Sequence, residues 1–110
     1  MFGSKAAPTE TPLQIEAAMK RGDIVLVDVR EANEYAAECI AGAVLYPLSR
    51  FDPAALPQTG AEIVLHCGSG RRSQTAFDAC RRAGIRVRSH LAGGIQAWKA
   101  AGLPVAQGRR

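Results

Sequence analysis

The sequence predicts an α/β fold with a mainly parallel central sheet and helices on both faces. Segments with strand patterns alternate along the chain with segments of helical periodicity. Residues 24–27 form an unbroken apolar run, which is typical of a strand buried on both faces of a parallel sheet. The length of 110 residues suits one domain with a single hydrophobic core.

The predicted elements follow from caps, apolar runs and breakers. Residues 1–10 are expected to form a flexible segment or a short edge strand, and Thr11-Pro12 begins the first helix, which ends at 21–23. The later predicted elements are a strand over 24–27, a helical turn over 31–37, strands over 43–46 and 61–65, a helix over 73–83, a strand over 86–91 and a helix over 95–101. We therefore expect residues 11–106 to form one domain and residues 107–110 to form a C-terminal tail.

Charge is distributed unevenly along the chain. Residues 1–62 carry five Lys or Arg and nine Asp or Glu, whereas residues 63–110 carry nine basic residues and one acid. The field of the basic half should concentrate small anions near Cys67, which lies within it. Nucleic-acid binding is the rival explanation, but no groove-reading motif is present and aromatic residues make up only 5% of the chain.

The cysteines and the hydropathy pattern exclude several classes of protein. The three cysteines are widely spaced and form no Cys-x-x-Cys pair, which argues against a disulfide framework and against a metal site. No apolar run is long enough for a membrane helix, and the first residues lack the apolar core of a signal peptide. We expect reduced thiols, a cytoplasmic location and no association with membranes.

The segment Cys67-Gly68-Ser69-Gly70-Arg71-Arg72-Ser73, called the Cys67 loop below, connects a predicted strand to a predicted helix. Its two glycines allow backbone conformations in which successive N–H groups converge on one point and form an anion site. A helix N-terminus contributes about 1 kcal/mol to such a site, or roughly one pKa unit. Loop amides and the two arginines would have to supply the rest of the stabilisation that a reactive thiolate needs.

The Cys67 loop resembles the active-site loop of the rhodanese family of sulfurtransferases, in which a cysteine carries sulfur as a persulfide. Segments 26–31 (Leu-Val-Asp-Val-Arg-Glu), 40–43 (Ile-Ala-Gly-Ala) and 91–98 (Leu-Ala-Gly-Gly-Ile-Gln-Ala-Trp) resemble three further motifs of that family, in the family's order. The resemblance implies a rhodanese-like three-layer domain with a sheet of four or five strands. Cys39 departs from the pattern, since the family commonly has histidine there.

The resemblance also implies a reaction. Cys67 would be the catalytic nucleophile, taking sulfur from thiosulfate or a similar anionic donor and passing it to cyanide, a thiol or the reactive cysteine of an acceptor protein. No metal or organic cofactor is implied. The substrate-binding residues would be Gly68, Ser69, Gly70, Arg71, Arg72 and Ser73, with the arginines orienting the sulfonate.

Residues outside the loop are assigned supporting roles. Asp28 and Arg30 follow a neighbouring strand, and the resemblance implies that their segment supports the Cys67 loop. Helix capping by Asp28 is an equally open alternative, and Arg30 is expected to pair with Glu31 or Glu34. The pair Gly93-Gly94 is expected to permit close packing beside the loop.

The remaining candidate side chains are predicted to be structural. His66 and His90 are interpreted as structural histidines, and Trp98 and Cys80 as core residues. Cys39 is predicted to lie at the sheet edge opposite the Cys67 loop, too far away for a disulfide.

Two other function classes are weighed against sulfur transfer. Cysteine phosphatases and some arsenate reductases have a similar loop, but they place arginine six positions after the cysteine, where this chain has Ser73. A non-catalytic rhodanese-like interaction or sulfur-carrier module is the other alternative. Such modules often lack the cysteine, so the retained Cys67 favours an enzyme.

Overall fold

The computed structural model describes residues 6–108, and the predictions made for residues 1–5 and 109–110 lie outside the described residues. The elements in chain order are β1 (Thr9–Glu10), α1 (Pro12–Lys20), β2 (Ile24–Asp28), α2 (Ala32–Ala37), β3 (Val44–Leu45), β4 (Glu62–His66), α3 (Arg71–Arg82), β5 (Ser89–Leu91) and α4 (Gly94–Ala100), with two short 3-10 turns, Leu48–Arg50 and Pro53–Ala55, before β4.

Within residues 6–108 the strands form a single five-stranded sheet in the order β1-β5-β4-β2-β3, and every neighbouring pair is parallel. The predicted α/β class with a parallel sheet is therefore confirmed. The longest pairing joins β2 to β4, from Ile24 opposite Glu62 to Asp28 opposite His66. Because all strands run the same way, their carboxyl ends lie at one edge of the sheet, where ligands of such folds bind.

Both faces of the sheet are covered by helices, as predicted. Leu26 and Val64 pack with buried residues of α1 and α4, whereas their chain neighbours Val27 and Leu65 pack with buried residues of α3. This alternation is the period of two that a strand imposes on its side chains, and it explains why residues 24–27 of β2 and 63–65 of β4 are apolar on both faces.

Helix α1 begins where the sequence predicts. Thr11 Oγ1 accepts the N–H of Gln14 at 3.2 Å, and the Gln14 side chain accepts the N–H of Thr11 at 2.8 Å, which completes a capping box. Helix α3 begins at Arg71, two residues before the predicted start, because Gly70 precedes it in a left-handed conformation with φ of 116°. Both arginines of the Cys67 loop therefore belong to the first turn of α3.

Two predicted core side chains occupy the core. Trp98 is buried and donates its Nε1–H to the carbonyl oxygen of Pro104 at 2.8 Å, and Cys80, on the inner face of α3, is fully buried. No helix within the described range is both long enough and apolar enough to cross a membrane.

Candidate active site

The Cys67 loop lies at the carboxyl end of β4, the central strand of the sheet. Cys67 is only 1% exposed, and its Sγ accepts hydrogen bonds from the backbone N–H groups of Gly70 at 3.1 Å and Ser73 at 3.3 Å. The Ser73 hydroxyl oxygen lies 3.5 Å from the same sulfur. A loop of seven residues therefore encloses the thiol and directs hydrogen-bond donors at it.

These hydrogen bonds decide the ionisation of the thiol. Burial alone would raise the pKa of Cys67, but hydrogen bonds from the Ser73 side chain and from the N–H groups of Ser73, Gly70 and Ser69 outweigh burial and lower it. Cys80 is a useful contrast, because burial without such donors raises its pKa to about 11. The thiolate of Cys67 is stabilised by the loop that surrounds it.

The loop is held from the other side by the start of α4. The N–H of Ile95 donates to the carbonyl oxygen of Cys67 at 2.9 Å, and the N–H of Gln96 donates to that of Gly68 at 3.2 Å. A Cβ at position 94 would lie 2.4 Å from the Cys67 carbonyl oxygen, so only glycine fits there. The close packing expected of Gly93-Gly94 is thus present, with Gly94 making the close contact.

The two arginines of the loop have different surroundings. Arg71 is exposed, whereas Arg72 forms a bidentate ion pair with Glu34 of α2, with distances of 2.7 and 3.0 Å. This pairing with Arg72 lowers the pKa of Glu34 to about 2. A Cβ on Gly68 would lie 3.2 Å from the Arg72 guanidinium, so the glycine leaves room for the pair. Arg71 therefore faces solvent, and Arg72 is already engaged by Glu34.

Asp28 and Arg30 pair with each other rather than as the sequence predicted. The fully buried Asp28 carboxylate accepts the backbone N–H of Arg30 at 2.9 Å and its guanidinium at 2.8 to 3.1 Å. Arg30 also donates to the carbonyl oxygen of Glu38 at 2.8 Å. The expected pairing of Arg30 with Glu31 or Glu34 is wrong, because the adjacent buried carboxylate satisfies the guanidinium. The alternative role for Asp28, capping α2, is wrong as well, since Glu31 holds that position.

Asp28 contacts the Cys67 loop through a histidine. His66 is fully buried, with Nε2 3.5 Å from an Asp28 carboxylate oxygen and Nδ1 3.2 Å from the Cys67 carbonyl oxygen. Desolvation lowers the pKa of His66, with the Asp28 charge acting in the opposite direction. The two ring nitrogens of His66 therefore face the Asp28 carboxylate and the Cys67 backbone, the arrangement of a structural histidine.

Sequence reasoning missed the position of His90. Its Nδ1 lies 2.6 Å from the Ser73 hydroxyl oxygen, and both residues are buried. The sequence could not reveal this contact because it depends on β5 lying beside β4 in the sheet, an order that the chain itself does not state. The one feature of the sequence that could have suggested this contact is the position of His90, one residue before the end of a strand.

The other cysteines lie away from this hydrogen-bond system. All three cysteines are free thiols, and Cys39 exchanges two backbone hydrogen bonds with Ala106, at 2.7 and 2.8 Å. Between residues 6 and 108 no three His, Cys, Asp or Glu side chains are grouped so that they could hold a metal ion.

Comparison with known proteins identifies the family. A family model described as "Rhodanese-like domain" matches residues 11–101. The chain is 43% identical over 97 residues to an uncharacterised protein of Synechocystis, covering 87% of this chain and 54% of that protein. It is 33% identical over 85 residues to a protein of Allochromatium vinosum named "Sulfurtransferase", covering 76% and 78% of the two chains.

The fold has relatives among solved structures. A thiosulfate sulfurtransferase from Pseudomonas aeruginosa superposes with a TM-score of 0.79 and 32% identity, over 93% of this chain and 20% of that one. The chain spans about half, or less, of the length of the first curated relatives it matches. The matched residues include the Cys67 loop, the strand β4 before it and the helix α3 after it, and the chain belongs to the family of rhodanese-like domains.

Proposed function

We propose that this chain is a sulfurtransferase that moves sulfane sulfur from thiosulfate or a similar donor, through a Cys67 persulfide, to a thiophilic acceptor. The observation that carries the proposal is the pair of N–H groups, from Gly70 and Ser73, directed at the Cys67 sulfur at 3.1 and 3.3 Å. Such donors stabilise a sulfur anion both before and after it has gained a second sulfur atom.

In the first step the Cys67 thiolate attacks the outer sulfur of thiosulfate. The sulfur–sulfur bond of the donor breaks, and sulfite leaves with the bonding electron pair. Cys67 then carries a persulfide whose negative charge lies on the outer sulfur. The N–H groups at the start of α3 have no intrahelical carbonyl partner and face this charge. The exposed Arg71 supplies a guanidinium suited to the sulfonate of the donor.

In the second step a nucleophile attacks the outer sulfur of the persulfide. Cyanide would leave as thiocyanate, and a thiolate of a small molecule or of an acceptor protein would leave as a persulfide. In each case the bond between the two sulfur atoms breaks, and Cys67 returns as the thiolate. The reaction is a ping-pong exchange with one covalent intermediate.

The relatives support the general class of reaction. One matched protein is named a sulfurtransferase, and a matched solved structure is described as a thiosulfate sulfurtransferase. The unpaired state of all three cysteines supports a reducing compartment, and we propose the cytoplasm.

The geometry favours sulfur transfer over phosphate chemistry. Where cysteine phosphatases place an arginine, this chain has the buried Ser73, whose hydroxyl oxygen contacts the Cys67 sulfur and His90. The neighbouring Arg72 is held by Glu34. The loop therefore lacks the free arginine at this position that the phosphatase loop uses for a phosphate group.

Turnover of thiosulfate and cyanide to sulfite and thiocyanate tests this proposal. We expect the wild-type chain to give parallel double-reciprocal plots, the pattern of a ping-pong reaction, and Cys67→Ser to abolish turnover. Cys80→Ser is the matched control and should retain activity, because Cys80 is a buried residue of α3 that supplies none of the hydrogen bonds to the Cys67 sulfur described above. Equal turnover in wild type and Cys67→Ser would overturn the proposal.

A further inference from the structure

Cys67, Ser73 and His90 form a continuous buried chain of polar atoms. The Ser73 hydroxyl oxygen lies 3.5 Å from the Cys67 sulfur and 2.6 Å from His90 Nδ1. Ser73 is completely buried and His90 is 5% exposed, so water contributes little to either contact. The three residues come from the loop after β4, from α3 and from β5.

Proton counting shows why the histidine matters. The Ser73 hydroxyl has one proton, but three acceptors surround it: the Cys67 sulfur, His90 Nδ1 and, at 3.2 Å, the Gly70 carbonyl oxygen. If Nδ1 has no proton, the short contact to His90 takes the hydroxyl proton, and none points at the sulfur. If Nδ1 carries a proton, it donates to the Ser73 oxygen, and the hydroxyl proton is free to point at the sulfur.

We propose that His90 is a positioning residue for Cys67: its Nδ1–H donates to Ser73 Oγ and thereby directs the Ser73 hydroxyl proton at the Cys67 sulfur anion. This inference deepens the proposed sulfur transfer, on which its functional meaning rests. The same direction of hydrogen bonds serves the thiolate and the inner sulfur of the persulfide.

The chain of hydrogen bonds reverses when Cys67 is protonated. The thiol then donates to Ser73 Oγ, and Ser73 donates to the bare Nδ1 of the other imidazole tautomer. When Cys67 ionises, its proton passes to Ser73 Oγ, the Ser73 hydroxyl proton passes to Nδ1, and the proton on His90 Nε2 is released to solvent, which leaves the hydroxyl proton facing sulfur and the imidazole proton on Nδ1. His90 changes tautomer in this step and keeps the same number of protons.

The charged groups around this chain of hydrogen bonds are compatible with a neutral His90 imidazole. Desolvation lowers the pKa of His90, and the charge of Asp78 on α3 acts against this effect. On β1 the neighbouring acid, Glu10, is occupied by Arg88 and Ser89. On the sulfur side the nearby cation is Arg72, whose own pKa is raised first by Glu34 and further by the Cys67 charge.

The pH dependence of Cys67 alkylation tests the proposal, with peptide mass spectrometry reporting each cysteine separately. We expect Ser73→Ala and His90→Leu each to raise the pKa of Cys67 by about one unit, since each removes a hydrogen bond that serves a charged sulfur. His90→Asn should retain most of the wild-type value, because its amide N–H can replace Nδ1–H. The double variant Ser73→Ala with His90→Leu should match Ser73→Ala alone.

Two results would overturn the proposal: equal shifts for His90→Leu and His90→Asn, or a full further shift from His90→Leu in the Ser73→Ala background. Slow alkylation of Cys80 in every variant controls for loss of the fold. Nitrogen NMR of the wild-type chain is a second test that needs no core substitution. The Nδ1–H tautomer of His90 should appear with the ionisation of Cys67, and an unchanging tautomer would contradict the proposal.

This readout is thiol ionisation rather than turnover. If the variants change the pKa of Cys67 as expected but the wild-type protein transfers no sulfur, the proposed function is wrong and the positioning role of His90 still holds.

Discussion

Gly94 at the start of α4 lies directly against the backbone of Cys67. A Cβ on Gly94 would be 2.4 Å from the Cys67 carbonyl oxygen and 2.5 Å from the Gly68 carbonyl group, and Gly94 has a positive φ of 60°. The start of helix α4 therefore packs directly against the Cys67 loop, and its N–H groups donate hydrogen bonds to the loop carbonyl oxygens. The position of Cys67 depends on a residue 27 positions away in the sequence.

We predict that Gly94→Ala destabilises the fold more than Gly22→Ala does. Both glycines have positive φ, which costs an alanine about 1–2 kcal/mol. A Cβ on Gly22 meets nothing within 4 Å, whereas one on Gly94 collides with the loop backbone, so Gly94→Ala carries an additional penalty. Urea unfolding measures both changes. Equal losses of unfolding free energy would show that the contact with the loop is unimportant.

The buried pair of Asp28 and Arg30 is expected to support the fold strongly. Asp28→Asn should lower the free energy of unfolding by about 3–5 kcal/mol, because it leaves the buried Arg30 guanidinium without its counter-charge. Asp23→Asn is the matched control: Asp23 pairs at 2.7 Å with Arg21, also two residues away, but on the surface. That change should stay within about 1 kcal/mol. Similar losses for both variants would contradict the account.

The ion pair between Arg72 and Glu34 should make stability depend on pH in acid. The Arg72 hydrogen bonds lower the pKa of Glu34 from 4.5 to about 2. Because the folded-state pKa is depressed, the contribution of Glu34 is fully present above pH 4.5 and is lost as the pH falls towards 2. The difference in unfolding midpoint between wild type and Glu34→Gln should shrink over that interval.

Arg72→Gln controls for this effect of acid. In a background without the guanidinium, Glu34→Gln should leave the acid dependence of the unfolding midpoint nearly unchanged. Because the Glu34 and Arg72 side chains are partly exposed, we expect a modest effect that salt weakens. If the unfolding midpoint depends on acid as strongly in Glu34→Gln and in Arg72→Gln as in wild type, other groups cause that dependence.

The sequence predicted most of the fold because the physical signals are local. The apolar run of β2, the capping residues of α1 and the glycines around Cys67 each act over a few neighbouring positions. Some helix and strand boundaries differ from the predicted ones, because backbone geometry rather than composition sets them. Gly70 lets α3 begin at Arg71, and β5 is limited to Ser89–Leu91 although the predicted strand began at residue 86.

The contacts of the candidate site were less predictable because they depend on which elements become neighbours. The loop and its candidate nucleophile could be located from residues 67–73 alone. The partner of Arg72 is 38 residues away, and the contact of Ser73 with His90 requires β5 to lie beside α3 and β4. Arg30 was given the wrong partner because composition does not show which nearby carboxylate is buried with it.

The intact mass of the reduced protein after incubation with thiosulfate tests the central claim most directly. We predict that the wild-type chain gains one sulfur atom, that peptide mapping assigns it to Cys67, and that cyanide removes it. Cys80→Ser should gain the same atom, and Cys67→Ser should gain none. A wild-type chain that gains no sulfur, or a Cys67→Ser variant that gains as much as wild type, would contradict a persulfide on Cys67.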